Sequence, residues 1–469
     1  MLSSTPRNES TSHYESPGIS DGSQSMHLMI HLIVKHPTLT TDCSLEKDCT
    51  IERSLHPIMK RGFLNTKRAK RSVEIRGPDT PVEPVPIKMK LPIGKVDTTL
   101  PEGYVPSEAI VKEYDSSTTV YPDNACICTT LPSRSFGDTL ADNPDNWTEC
   151  LFLGGKQKRE IVSTPGFPSP VPRPPQVRHR IGPSRFGIGM FATRNIKMGD
   201  LIVSERPLLV SPIAVPPLPL NLPISFEPTL LQIMQARMVE HEKRLENCLG
   251  RMLPENRAAF LALHNSHTED GSGPIFGRIR TNGIGIIEKT KKSDLDAGDY
   301  GYTAVFDAIS RINHSCAPNA AYGFTMASFS SQLRAIRDIK KDEEIFIAYC
   351  STSEPTAERQ ASLKPYGFEC TCSLCSDPTS DALLAKIKES TLEPSVWSYN
   401  RDPKGNIDRT QHSKDWMATI EASGQQGLKE YGTHISMLIA ASAGLGRMGE
   451  YRKYKEMSEA WYLGRKSSM

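Results

Sequence analysis

The stretch RINHSCAPN, residues 311–319, decides how this 469-residue chain is read. Asn313 and His314 carry polar side chains and backbone groups suited to gripping a ligand, and Cys316 offers a thiolate two residues further on. A ligand grip and a metal ligand so close together are seldom matters of packing alone. The stretch therefore asks for matching parts elsewhere in the chain.

Those parts follow. KDEEIFIAYC, residues 341–350, is a charged turn feeding an alternating apolar run that ends in Tyr349. FECTCSLC, residues 368–375, supplies Cys370, Cys372 and Cys375 in C-x-C-x2-C spacing, and Cys316 can complete a tetrahedral four-thiolate zinc site. Clustered thiols of this kind in a reducing compartment are seldom core residues, and zinc would order a segment with little apolar content of its own. Four thiolates leave no open coordination position, so the site reads as structural. Upstream, RFGIGMFATRNIKMGDLI, residues 185–202, places Gly187 and Gly189 in a tight turn before an apolar segment.

In this order the blocks resemble the SET domain, the fold of most protein lysine methyltransferases, over about residues 179–375. A lone Gly-x-Gly is a weak signal, because glycines mark ordinary turns. NHSC-x-PN followed by DEEIFIAY and then by C-x-C-x2-C is specific. The resemblance implies an α+β, mainly β fold of small antiparallel sheets with a pseudoknot, in which the Cys316 loop is threaded by the later segment, an exception to the rule against threading. It also implies methyl transfer from S-adenosyl-L-methionine to a lysine of a histone or another protein.

Residue by residue, the resemblance makes Tyr349 the active-site tyrosine, whose phenol orients the methyl group and the developing charge as a fixed dipole. Asn313 and His314 match cofactor-contacting positions. Gly187, Ile188 and Gly189 match the first cofactor loop, where missing side chains let backbone groups approach the ligand. Asn282, in RIRTNGIGI, and Phe368, in YGFEC, resemble two further cofactor contacts. Each has a plainer reading beside it: a strand tyrosine packed by its ring, a polar turn satisfying its own backbone, a hairpin turn, and a packing residue beside the zinc. Asp342 stands where the family usually has Gly, and Asp also serves a turn. Cys350 reads as a buried thiol rather than a ligand, and Cys126 and Cys128 have no matching second pair.

Methyl transfer is an in-line displacement that needs a neutral amine. A free lysine has a pKa near 10.4, and keeping it neutral near pH 7.5 costs roughly 4 kcal/mol. A dehydrated channel lowers that pKa by disfavouring the ammonium, and alignment of amine, methyl and sulfur supplies much of the rate. Channel width, which sets whether one, two or three methyl groups are added, is expected to involve Tyr302 and Phe306.

Composition bounds the rest. Apolar residues make up 38% of the chain, below the usual share for a wholly globular protein. Residues 1–175 are rich in Ser, Thr, Pro and charge and are expected to be mostly disordered, with short ordered pieces at 26–34 and 147–153. The proposed SET domain spans 176–350 with a helical insert at about 212–275, a zinc-binding segment spans 351–378, and a helical region spans 379–469. Strands are expected at 189–192, 201–205, 208–211, 333–336 and 345–348. Leu231, Met234, Met238, Leu245 and Leu249 repeat with a helical period, and a second helix is expected from Pro254 to residue 263. Helices at 427–443 and 449–463 form a hairpin, a short version of the tetratricopeptide-like domain of the SET and MYND branch. Only Cys248 lies between residues 202 and 316, so no MYND zinc finger can be built. The chain thus resembles a MYND-less relative of that branch.

The net charge of +2 gives no global field for nucleic acid or an anionic membrane. Eleven cysteines without framework spacing fit a reducing compartment, and the sequons at Asn8 and Asn146 then read as coincidence. Residues 27–34 are too short an apolar run to span a bilayer, and no charged leader precedes them. The chain is expected to be soluble, monomeric and located in the nucleus, the cytoplasm or both. KRGFLNTKRAKR, residues 60–71, carries six basic residues and no acid. It reads as a solvated charge run, a nuclear localisation signal or a nucleic-acid patch. A lysine methyltransferase is the leading reading. A catalytically weak SET module working as a scaffold in transcriptional regulation is its rival, and a DNA-bound regulator using residues 60–71 has no DNA-binding motif to support it.

Overall fold

Short runs with alternating burial, such as SSQLRA and EIFI, pair into three small sheets. The computed structural model describes residues 91–92, 94–96, 100–106, 112–113, 126–216, 220, 228–287, 301–391 and 403–465, all inside the unit Glu83–Met469. Strands β1 (Lys112–Glu113), β2 (Cys126–Leu131) and β3 (Thr148–Leu153) precede helix α1 (Lys156–Val162). Strands β4 (His179–Ser184), β5 (Gly187–Ala192), β6 (Leu201–Glu205) and β7 (Leu209–Pro212) follow. Helices α2 (Leu230–Arg251), α3 (Pro254–Leu261) and α4 (Pro274–Asn282) make the insert, ahead of β8 (Ile284–Ile287) and β9 (Tyr302–Val305). The motif-bearing half holds β10 (Asn313–His314), β11 (Ala320–Thr325), β12 (Ser330–Ala335) and β13 (Glu344–Ile347). Helices α5 (Thr356–Leu363), α6 (Ser373–Ser376), α7 (Ser380–Glu389), α8 (Pro403–Ala422), α9 (Lys429–Gly444) and α10 (Met448–Arg465) close the described chain.

The sheets run β1-β2-β3-β7-β9-β8, β10-β13-β5-β4 and β11-β12-β6. In the second, β10 lies parallel to β13 with Asn313 opposite Phe346 and His314 opposite Ile347, while β13 pairs antiparallel with β5. That crossing brings residues 311–319 and 341–350 side by side. The turn into β13 passes through Asp342 at φ +66°, a left-handed conformation that Asp tolerates better than most side chains. This is how Asp342 serves the turn.

Thr229 starts α2 with a capping box, its hydroxyl accepting from Gln232 N while Gln232 Oε1 accepts from Thr229 N, worth about 1 kcal/mol. Met238, Leu245 and Cys248 then bury one face of α2 against Cys128 and Leu151 of the six-stranded sheet. Pro254 opens α3 where its missing N–H is not needed. At the other end, Trp461 of α10 is buried and donates from its indole to Gln426 O at 2.7 Å. Gly464 approaches the sheet so closely that a Cβ there would lie 2.6 Å from Ala335 O. The C-terminal helices are therefore docked on β12 rather than tethered to it.

One expectation changes. Residues 126–175, read as part of a mostly disordered region with a short ordered piece at 147–153, are built into the fold: that piece is β3, and β3 pairs with β2 on one side and β7 on the other. Their apolar runs, CICTTL and CLFL, are short and sit among Ser, Pro and charged residues, so composition over a long window hides them. A strand central to a sheet needs only about six residues. Tyr302 and Phe306, expected beside the substrate channel, are wholly buried in the main β core, where Tyr302 Oη accepts from Leu153 N at 3.0 Å. Residues 26–34 and 60–71, Asn8, Cys43 and Cys49 lie outside the described residues.

Candidate functional site

The site is assembled around the β10–β13 crossing. Asn313 donates its side-chain amide to Ile188 O at 3.1 Å and to Glu344 Oε1 at 2.8 Å, and Ser184 Oγ donates to Glu344 Oε2 at 2.8 Å. These bonds tie β4, β5, β10 and β13 together at one point. Gly189 sits directly over it, and a Cβ at that position would collide with Glu344 Oε1 and Asn313 Nδ2. Gly187 enters the strand at φ +106°, which only glycine takes without strain. Ile188 between them is half exposed, so the loop presents backbone and one apolar side chain outward.

On the next residue the chain turns inward. His314 is buried, and its Nδ1 accepts from Tyr349 N at 2.9 Å. An accepting Nδ1 places the ring proton on Nε2, and Nε2 lies 3.3 Å from Cys316 Sγ. Burial lowers the pKa of His314 to about 4, so the ring is neutral at pH 7. Tyr349 donates its hydroxyl to Ile312 O at 2.5 Å. Burial first, then Tyr366 and Tyr322, raise its pKa above the ordinary phenol value. The phenol thus stays protonated and oriented, a fixed dipole. Tyr366 lies 4.9 Å and Phe368 6.4 Å from its ring, measured between centroids, and Phe368 lies 6.2 Å from His314.

Cys316, Cys370, Cys372 and Cys375 bring their sulfurs within 4.8 Å of one another, with Cys316 and Cys375 at 3.5 Å. Zinc–sulfur bonds of ~2.3 Å in a tetrahedron set sulfur–sulfur edges of ~3.8 Å, so the four donors fit such an ion. A divalent cation there would take all four as thiolates. Cys350 is half-buried, within 4.8 Å of Cys316 and His314, and is not one of the four.

Asn282 ends α4; its amide donates to His264 O at 2.7 Å and Arg278 O at 2.8 Å, and its carbonyl accepts from Ser310 Oγ at 3.0 Å. None of its hydrogen bonds reaches the other expected cofactor residues among the described residues. A cleft of about 760 Å³ opens beside the site, with Phe186, His314 and Phe346 on one wall and Glu421, Tyr431 and Met457 of the C-terminal helices on the other. Of the residues expected from sequence, only His314 and Cys372 line it, so the cleft adjoins the Tyr349 site rather than containing it. Three residues escaped the sequence reading: Glu344, Tyr322 and Tyr366. Tyr366 carried a signal, two residues before Phe368 in the same YGFEC block; Glu344 looked like one more charge in a turn.

The SET-domain family model matches residues 187–350, from the first glycine of the loop to the residue after Tyr349. The chain carries a SET domain. Its relatives include the histone-lysine N-methyltransferase set5 of Schizosaccharomyces pombe, 29% identical over a match covering 40% of this chain and 47% of that protein. The human N-lysine methyltransferase SMYD2 is 28% identical, over 39% of this chain and 42% of that protein. The chain thus spans less than half the length of the curated relatives it matches. Among solved structures, the SET domain of LSMT bound to lysine and AdoHcy aligns with 66% of this chain and 92% of that one, at 15% identity and a TM-score of 0.24, too low for any argument about this SET domain. Among the described residues no helix is long and apolar enough to cross a membrane.

Proposed function

We propose that this chain is a protein-lysine N-methyltransferase that uses S-adenosyl-L-methionine, acting on a lysine of a histone or another protein. The observation that carries the reading is the placement of Tyr349: its hydroxyl is pinned to Ile312 O and its backbone to His314, beside the loop held by Asn313 and Glu344. When bound, S-adenosylmethionine would supply an electrophilic methyl on a sulfonium. Gly187, Ile188 and Gly189 would offer backbone groups to it, and Phe368, 38% exposed, an aromatic surface. Asn313 acts chiefly by positioning, since its amide is spent on Ile188 O and Glu344. Tyr349 would hold the amine and methyl in line with a dipole that is already oriented. Tyr322 and Tyr366 beside it make the surroundings poor in water, which disfavours a charged lysine.

The four cysteines would hold zinc in a structural role, ordering residues 370–375 against Cys316. Asn282 remains a candidate for cofactor contact only through atoms other than its amide nitrogen. We place the protein in the nucleus, the cytoplasm or both, a reading that rests on the cysteine usage and on residues 60–71; a fluorescent fusion lacking 60–71 that still enters nuclei would remove the import signal from the account. The activity is tested with labelled cofactor and a panel of lysine-bearing proteins, histones included. Transfer that Tyr349→Phe abolishes supports the enzyme, whereas cofactor binding with no transfer to any of them supports a scaffold.

A further inference from the structure

Arg359, on α5, is 2% exposed and faces the cysteine cluster. Its Nη1 donates to Glu354 O at 2.6 Å, and its Nη2 donates to Thr356 Oγ1 at 2.8 Å and reaches Cys375 Sγ at 3.8 Å. Its Nε is buried without an acceptor among the described residues. The nearest carboxylate, Asp381, is 3.7 Å from Nη1, partly exposed, and already accepts from the N–H and hydroxyl of Thr356 at 2.9 Å. A buried guanidinium whose one carboxylate neighbour is exposed to water and shared with Thr356 is costly. The remaining source of negative charge is the sulfur cluster. With zinc bound, four thiolates carry a net charge of about −2; as neutral thiols they carry almost none.

We propose that Arg359 is the counter-ion of the metal-loaded four-cysteine cluster, so that zinc occupancy and the buried guanidinium stabilise each other. The same side chain then links the cluster to the C-terminal helices. Arg359 holds Thr356, Thr356 holds Asp381, and Asp381 stands in the first turn of α7. Loss of zinc should therefore loosen α7 as well as residues 370–375.

The inference rests on the four-thiolate zinc reading and makes a prediction that simple packing does not. Zinc retention against a chelator and thermal unfolding, with and without zinc, are measured under reducing conditions for the full chain, Arg359→Met and Arg359→Lys. Arg359→Met should lose zinc at about tenfold lower chelator concentration, in the range typical when a partner of a metal ligand is removed, and Arg359→Lys within about threefold of the parent. Once the metal is stripped the order should invert, with Arg359→Met unfolding at a higher temperature than the parent because an uncompensated buried charge is gone. Equal zinc retention, or the same destabilisation with and without zinc, overturns the proposal. Should Arg359→Met fail to fold, Arg359→Lys decides: retention supports the charge, and a tenfold loss overturns it. A parent chain that binds no zinc overturns the four-thiolate reading itself, whereas a zinc-loaded parent with an indifferent Arg359→Met overturns the counter-ion alone.

Discussion

Tyr349 donates its backbone N–H to Nδ1 of His314 at 2.9 Å, and that one bond joins the proposed reaction centre to the proposed metal cluster. The other ring nitrogen of His314 faces Cys316 Sγ at 3.3 Å, and a backbone N–H on Nδ1 fixes the tautomer that can donate to a thiolate there. Cys316, His314 and Tyr349 thus form a single chain of contacts. A change at the metal should be felt at the tyrosine, and the loop side should be separable from it.

The first prediction uses that asymmetry. Cys316→Ser should loosen zinc and weaken cofactor binding together, because it removes a thiolate and the partner of His314. Asn313→Ala should weaken cofactor binding by freeing Ile188 and Glu344 while leaving the metal in place. Zinc content by elemental analysis and cofactor affinity by calorimetry, read on both variants, check it; cofactor binding untouched in Cys316→Ser contradicts it.

The second concerns the loop. A methyl group at Gly189 meets Glu344 and Asn313, which also meet each other, so neither can withdraw without breaking the tie between β5 and β13. Gly189→Ala should cost about 1–3 kcal/mol of stability and most of the cofactor affinity. Denaturant unfolding of the variant with unchanged stability would show that the contact yields easily.

The third is a pH dependence away from the site. Glu205 accepts from Ile309 N at 2.6 Å and Ala308 N at 3.0 Å, and burial, offset by these bonds, raises its pKa from 4.5 to about 7. An acid whose folded pKa is raised contributes fully below its unfolded value and loses that contribution as pH rises toward the folded one. The chain should therefore lose stability on the order of 1–3 kcal/mol between pH 4.5 and about 7 through this group. Glu205→Gln keeps an acceptor for both N–H groups and should flatten that slope. Unfolding curves across pH 4.5–8 that are parallel for parent and variant would exclude it.

Much of this was legible in the chain because it depends on local pattern. β6 and the α9–α10 hairpin fall where periodicity puts them, and C-x-C-x2-C with Cys316 names four sulfurs that the fold brings together. What stayed hidden depends on partners from elsewhere in the chain. The short ordered piece expected at 147–153 is β3, but its place between β2 and β7, and β2 itself, depend on pairing that no short apolar run reveals. Glu344 matters because Asn313 and Ser184 converge on it, and Arg359 because α5 carries it to Cys375. The packing of Tyr302 in the core against Leu153 could be learned only from the assembled sheet.

The most direct test of the central claim compares methyl transfer by the parent chain and by Tyr349→Phe, with cofactor affinity and zinc content measured on both. Removing one buried hydroxyl that donates to Ile312 O should leave zinc bound and cofactor affinity within a few-fold, while transfer falls by about 10²–10³, the loss typical of one oriented donor. Equal transfer by the two proteins would contradict the placement of the reaction at Tyr349.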